Sequence, residues 1–424
     1  MTTDPAHVRR VLDAVWRIES ARLVASLARL TRNVGLAEEL AQDTLVIALE
    51  QWPRDGVPDE PGPWLRATAK HRAIDRLRRR QRYTEKLAVL GRDVEHHERD
   101  REDELVDTLD DHIGDDLLRL IFTAAHPVLS TEGKVALTLR LLAGLSTPEI
   151  ARAFLIPEAT AAQRIVRAKR TLAAAGVEFT MPTPTEIAER VGTVLGVIYL
   201  VFNEGYSATS GADWARPALC QEAMRLGRTL AGLLPDEPEV HGLVALMELQ
   251  ASRLPARIDS AGRPVLLGDQ DRRRWDRLLI RLGLDALERA DALGGGPYTL
   301  QAAIAACHAR AHTAEDTDWA RIAALYEVLA YVQPSPVVRL NQAVAIGKAG
   351  DPARGLAVVD ALGAERALRG YAQLPAVRGE LLAQLGRLAE AAAEFRRAAD
   401  LTANDSERTL FSGRAASLDT ESAS

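Results

Sequence analysis

Trp64–Arg82 reads WLRATAKHRAIDRLRRRQR. Arg66, Lys70, Arg72, Arg76, Arg78, Arg79, Arg80 and Arg82 share it with one acid, Asp75, in a chain of formal net charge -6. Trp64, Leu65, Ala69, Ala73, Ile74 and Leu77 recur at three- and four-residue steps, the spacing of one helix face. One face therefore packs, and the opposite face presents guanidinium groups. Such a face suits duplex DNA, because each phosphate it neutralises releases a counterion. The plainer reading is a solvated charged face. The neighbouring segments decide between the two.

Upstream, His7–Arg32 has amphipathic helical spacing, and Gly35–Trp52, GLAEELAQDTLVIALEQW, reads as a further helix. Leu36, Leu40, Val46 and Ile47 form its expected inner face; Glu38, Glu39, Gln42, Asp43 and Glu50 are expected partly outward. PRDGVPDEPGP then breaks the helix. Downstream, Asp93–Asp116 is dominated by acids and is expected to be a flexible acidic linker. Leu145–Leu172, LSTPEIARAFLIPEATAAQRIVRAKRTL, reads as two helices with a tight connection. Thr147 is the expected N-cap, with Pro148 and Glu149 suited to the first turn. Ile150, Ala151, Phe154 and Leu155 form the inner face, and Ile156-Pro157 interrupts the helix. Thr160–Leu172 then turns Ile165, Val166 and Leu172 inward and Gln163, Arg164, Arg167, Lys169 and Arg170 outward. This is helix-turn-helix grammar with a basic second helix; an αα-hairpin in a bundle is the plainer reading.

At 424 residues the chain has room for about three domains at ~150 residues each. Aromatics make up only 4%, and Ala, Leu and Arg abound, which favours helices over strands. Cys220 and Cys307, the only cysteines, give neither metal-ligand spacing nor a disulfide framework, as expected in a reducing cytosol. MTTDPAHVRR has no apolar signal core, and the longest apolar run, Val191–Phe202, is shorter than the ~20 residues of a membrane span. A cytoplasmic protein without a membrane part is expected. From Thr180 to about Ala416 the chain is Ala/Leu-rich and helical. AVAIGKAGDPARGLAVVD (Ala343–Asp360) aligns with GELLAQLGRLAEAAAEFR (Gly379–Arg396), placing Gly350 on Gly386 and Ala353 on Ala389. The offset is close to the ~34-residue period of tetratricopeptide repeats. The tail from Ser417 is polar and expected to be disordered.

The order of acidic-faced helix, basic helix, acidic linker and helix-turn-helix resembles the extracytoplasmic-function sigma factors of bacterial RNA polymerase. AEELAQDTL is similar to region 2.2 of that family, PWLRATAKHRAIDRLRRRQR to regions 2.3 and 2.4, and TPEIARAFLIPEATAAQRIVRAKRTL to region 4.2. The resemblance implies that Glu39, Gln42 and Asp43 dock on core polymerase. It implies that His71 and Arg72 lie near a pocket for a flipped −10 base, and that Asp75, Arg76 and Arg79 begin the −10 reading helix. Gln163, Arg164, Arg167, Lys169 and Arg170 are the implied −35 contacts. Family members often carry Asn at the position of His71 and Lys at that of Ala162. The acidic linker would mimic nucleic acid in the channel that later carries RNA.

YLVFNEGYSAT (Tyr199–Thr209), Leu243–Asp276 and GPYTLQAAIAACHARA (Gly296–Ala311) are similar to the subgroup with a long tetratricopeptide-like C-terminal extension. That resemblance adds a small soluble YCII-related, DGPF-type protein to the implied partners, beside core polymerase and promoter DNA. The expected fold is all-α: region 2 bundle over 1–82, acidic linker over 83–112, region 4 helix-turn-helix over 113–178, helical repeat extension over 179–416, and tail over 417–424. The expected function is promoter-specific initiation without catalysis, cofactor or metal, under control of the extension. Leu254–Asp276, a polar Arg/Asp-rich loop, is the expected contact of the extension with the sigma regions; a solvated inter-helix loop is the alternative. One alternative function is a helix-turn-helix regulator acting without polymerase, although such a protein has no use for a polymerase-docking helix. The other is an enzymatic extension, whose candidates would be Asn203, Glu204, Tyr206, Asp269–Asp271, His241 and His308. No nucleophile elbow, phosphate loop or metal spacing joins them.

Overall fold

The computed structural model describes residues 5–89, 113–154, 156–206, 216–259, 265–402 and 405–422, and every regular element among them is helical. The all-α expectation is met. The chain divides into two compact units, Met1–Ile198 and Tyr199–Ser424.

The first unit opens with α1 (Pro5–Thr31), α2 (Val34–Asp55) and α3 (Pro61–Val89). Asn33 caps α2 by accepting from the Leu36 amide at 2.9 Å. Val8, Leu12, Ala48, Trp52 and Leu65 form the core of this bundle, with the Trp52 and Trp64 rings edge-on at 5.5 Å. The basic helix packs as its spacing requires: Leu65, Ala69 and Ala73 are fully buried. α3 continues past the expected end at Arg82 to Val89, through YTEKLAV, which contains no glycine or proline to stop it. Residues 90–112, most of the expected linker, lie outside the described residues.

α4 (Ile113–Ala124) and α5 (Thr131–Leu137) lead through a π-turn at Thr138–Leu142 to α6 (Thr147–Ala153) and α7 (Glu158–Ala174). The N-cap of α6 is Ser146, one residue before the expected Thr147. Its hydroxyl accepts from the Glu149 amide while the Glu149 carboxylate accepts from the Ser146 amide at 2.8 Å, a reciprocal capping box. Ile150 and Ala151 are buried as expected, Phe154 is half-buried, and Leu155 lies outside the described residues. Ile165 and Leu172 of α7 point inward, whereas Val166, expected inward, is 43% exposed. α8 (Pro184–Tyr206) spans the division between the units, which falls later than the boundary expected at 178/179. Its early turns belong to the first unit: Arg190 donates to the Phe122 carbonyl at 2.6 Å and stacks on the Phe122 ring.

The second unit contains α9 (Pro217–Leu233), α10 (Pro238–Ala251), α11 (Arg277–Ala292), α12 (Pro297–Arg310), α13 (Trp319–Val332), α14 (Pro336–Lys348), α15 (Pro352–Leu362), α16 (Gln373–Gln384), α17 (Leu388–Leu401) and α18 (Asp405–Ser422). The repeat alignment is realised as two helix pairs. Gly350 turns α14 into α15 at φ 104° and Gly386 turns α16 into α17 at φ 73°, conformations that a side chain would strain. Gly355 lets α15 approach α14 closely, since a Cβ there would lie 2.7 Å from the Ala343 carbonyl. Residues 417–422 of the expected disordered tail are instead the end of α18: Leu418 is 1% exposed and packs with Phe411 and Ala415 in the terminal core. Three buried apolar residues at helical spacing outweigh the polar composition of this segment.

Candidate nucleic-acid interface

The basic face of α3 is open. His71, Arg72, Asp75, Arg76, Arg78, Arg79 and Arg82 are all exposed. Among the arginines of the segment whose side chains are described, Arg66 is the exception, for it donates to Glu19 of α1 at 2.7 Å and ties the bundle together. Arg72 lies 3.7 Å from Asp43 of α2, with both side chains about half exposed. An exposed pair of this kind contributes little and exchanges partners readily. The residues expected at −10 are thus gathered on one helix face, with Arg72 at its edge toward α2.

On α2, Glu39 and Asp43 are exposed and Gln42 is half-buried, a short polar row. Two positions depart from the expected pattern. Val46 is 51% exposed rather than inward, and Glu38 is 5% exposed rather than partly outward. Glu38 occupies a polar clamp. Its carboxylate accepts from Arg140 Nε at 2.8 Å and from Lys169 Nζ at 2.6 Å. Burial alone would raise its pKa, but the Lys169 hydrogen bond and the charges of Arg140 and Lys169 outweigh it and hold the carboxyl below its ordinary value.

Lys169 is therefore not free on the reading face of α7, as the sequence suggested; it is held against α2. Gln163, Arg167 and Arg170 are exposed, and Arg164 is half-buried. Glu132, kept acidic by hydrogen bonds from its own amide and from Ser130, also senses the charge of Arg164. Four of the five expected −35 residues thus remain on an accessible or partly accessible face.

The clamp belongs to a wider docked contact between the α1–α3 bundle and the helix-turn-helix. Asp116 of α4, 1% exposed, accepts from Arg29 of α1 at 2.9 Å and from Arg119 at 2.6 Å. Gly144, at φ 67°, brings the turn before α6 so close to α1 that a Cβ would lie 2.5 Å from Ser20 Oγ. Sequence reasoning missed Glu38, Asp116 and Gly144 as a set. The signal available was the small-residue stripe Ala37, Ala41, Thr44 and Ala48, which marks the packed face of α2 beside Glu38.

Four of the residues weighed as catalytic in the extension have structural partners. Glu204 pairs with Arg216, Tyr206 stacks under Arg257 at 3.6 Å, Asp271 pairs with Arg273, and the His241 ring contacts the Pro235 carbonyl at 2.8 Å. Among the described residues, parts of Leu254–Asp276 are buried in the extension. Arg272 is buried and donates to the carbonyls of His308 and Ala311 and to Thr317, and Trp275 is 3% exposed in the core. Arg273 and Arg274 of this segment remain exposed. Among the described residues no helix is long and apolar enough to cross a membrane.

Comparison with known proteins matches three segments. Residues 18–83 match sigma-70 region 2, residues 119–172 match sigma-70 region 4, and residues 190–291 match DUF6596, a family of unknown function. An uncharacterized protein of Rhizobium meliloti (strain 1021) is 48% identical over 386 residues, covering 91% of this chain and 90% of the relative. No solved structure gives a significant match. Sigma-70 regions 2 and 4 act in promoter-directed transcription and are not enzymatic. The chain therefore belongs to the sigma-70 family, as a sigma factor of the extracytoplasmic-function type with a C-terminal helical extension.

Proposed function

We propose that this sigma factor rests in a docked, DNA-incompetent form and that its extension governs release from it. The observation that supports the docked form is the Glu38 clamp. Lys169 of the −35 helix lies 2.6 Å from a carboxylate of the −10 bundle. Promoter elements centred about 25 base pairs apart lie roughly 85 Å apart at ~3.4 Å per step. In the docked form α7 and α2 touch through Lys169 and Glu38 at 2.6 Å, far short of that span, so engagement of both elements separates the two regions. Opening breaks the clamp and frees Lys169 for phosphate.

In the open form, Glu39, Gln42 and Asp43 dock on core polymerase. His71, Arg72, Asp75, Arg76 and Arg79 act at −10, and Gln163, Arg164, Arg167, Lys169 and Arg170 act at −35. α8 supports control by the extension, because one helix supplies residues to both units. A small soluble YCII-related, DGPF-type protein is the proposed additional partner. The protein works in the cytoplasm and joins the nucleoid when bound to polymerase. The test is transcription with core polymerase from promoters selected by profiling after overexpression. Truncation after Ile198, where the first unit ends, should change promoter activity strongly. A truncated protein with the same activity and stress response as the full chain would refute control by the extension.

A further inference from the structure

Within the second unit lies a cavity of about 510 Å³, the size of a small-molecule site. Its walls come from α8, α10, α12, α13 and α14. Apolar groups such as Leu246, Ile304 and Leu329 share the lining with the rings of Tyr199, Tyr298 and Tyr326. The Tyr199 and Tyr298 rings meet edge-on at 5.6 Å. Burial raises the pKa of all three tyrosines, Tyr326 to about 12, so their hydroxyls stay protonated and can donate.

Among the lining residues described, Arg253 alone carries a formal charge. Its Nε is buried and has no hydrogen-bond partner among the described residues. Arg257 Nη1 and Arg272 Nε are likewise buried without a hydrogen-bond partner among the described residues, and Arg253 lies 5.7 Å from the Tyr206 ring that Arg257 covers at 3.6 Å; of the three, Arg253 is the one that lines the cavity. His308, 8% exposed, lines the same cavity with a buried Nδ1 that also lacks a partner. Burial, then the charges of Arg253 and Arg272, lower its pKa to about 3, so the ring is neutral and adds no second cation. A buried guanidinium edge without a counter-ion is costly, and the group that matches it best is a carboxylate, through two parallel N–H···O bonds.

We propose that this cavity binds a small organic carboxylate. Arg253 pairs with the carboxylate, His308 Nδ1 adds a polar contact, and the tyrosine rings and Leu246, Ile304 and Leu329 enclose a flat apolar body. One cation and an apolar wall suit a monoanion of this kind better than a phosphate, which gathers several cations. Tyr199 and Asn203, on α8, place the site against the helix that contributes to both units.

The test uses the full chain without polymerase or DNA, so its failure is separate from any failure of the sigma-factor reading. Benzoate, phenylacetate and 3-phenylpropionate are titrated by calorimetry and ligand-observed NMR, with benzamide as the uncharged counterpart and inorganic phosphate as the competing anion. At least one carboxylate should bind saturably at millimolar concentration or tighter, and benzamide and phosphate should bind at least about tenfold more weakly. Arg253→Gln should weaken the carboxylate about ten- to hundredfold. Arg253→Lys, which keeps the charge and loses the fork, should fall between, and Arg281→Gln on the exposed face of α11 should bind as the unaltered chain does. If Arg253→Gln misfolds by circular dichroism, Arg253→Lys and the benzoate–benzamide comparison on the unaltered chain decide. Absence of saturable carboxylate binding, equal binding of benzamide or phosphate, or unchanged affinity in a folded Arg253 variant would overturn the assignment.

Discussion

Replacing Glu38 with Ala removes the one carboxylate that Arg140 and Lys169 share. Each cation loses a charge-assisted contact of 2.6–2.8 Å, and such bonds contribute about 1.5–3 kcal/mol apiece. The side chains of Arg140 and Lys169 are 15% and 19% exposed, so water recovers part of the loss. A net cost near 3 kcal/mol follows, the low end for breaking a buried pair. That is about a hundredfold shift of the docked-to-open ratio, at ~1.4 kcal/mol per decade. Spin labels at Glu50→Cys on α2 and Ala174→Cys at the end of α7 read the change directly. The two native cysteines are buried and free, and burial raises the Cys220 thiol to about 12, which makes it a poor competitor for the label. The pulsed-EPR distance should be short and narrow in the parent and longer and broader in Glu38→Ala. A cycle with Lys169→Met should show strong coupling between the two positions. Because the docked carboxyl is held below 4.5, it supports docking fully above that pH, and the support disappears as pH falls through the docked value. Acidification below 4.5 should open the parent more than Glu38→Gln. Identical distance distributions in parent and Glu38→Ala would refute the clamp.

Three further outcomes follow from the same geometry. Asp43→Lys should weaken binding to core polymerase while changing stability by no more than about 1 kcal/mol, since its pairing with Arg72 is half exposed; equal core affinity in a binding assay would remove α2 from the docking surface. Arg167→Ala with Arg164→Ala should weaken promoter binding, and any base-specific contact should relax discrimination by about 1–3 kcal/mol, so unchanged footprints would show that α7 reads DNA differently. Leu418→Ala should cost about 2–5 kcal/mol in denaturant unfolding, whereas a disordered tail would show no change.

The helices were legible because their signals are local. The four-residue spacing of Leu65, Ala69 and Ala73 and the proline and glycine breaks act within a turn or two, Gly350 and Gly386 recur at equivalent helix ends, and all reappear in the fold. The same locality explains the misses. Composition marks the chain from Ser417 as polar, but Leu418 packs against Phe411 and Ala415, and only the spacing reveals it. Lys169 looks like a phosphate contact on α7 because nothing near it in sequence announces Glu38, which lies 131 positions away. Arg253 and His308 are likewise joined only by the packing of α12 beside α10.

Gly144 provides the sharpest separation between a local and a long-range role. Its φ of 67° is a turn requirement, and replacing a glycine there by alanine costs about 1–2 kcal/mol wherever the turn occurs. The added Cβ would also lie 2.5 Å from Ser20 Oγ of α1, across the docked contact. The first effect destabilises the helix-turn-helix in both forms, while the second acts only when α1 is docked. Gly144→Ala should therefore lower the melting temperature by at least about 2 °C, at roughly 2–4 °C per kcal/mol for a unit of this size, and should also lengthen the interlabel distance. Gly144→Ala combined with Ser20→Gly keeps the turn strain and removes the contacted side chain. It should melt as low as the single variant yet recover the short distance. If the double variant stays open, the turn rather than the close approach controls docking, and the contact between α1 and the turn before α6 is a consequence of the closed form rather than a condition for it.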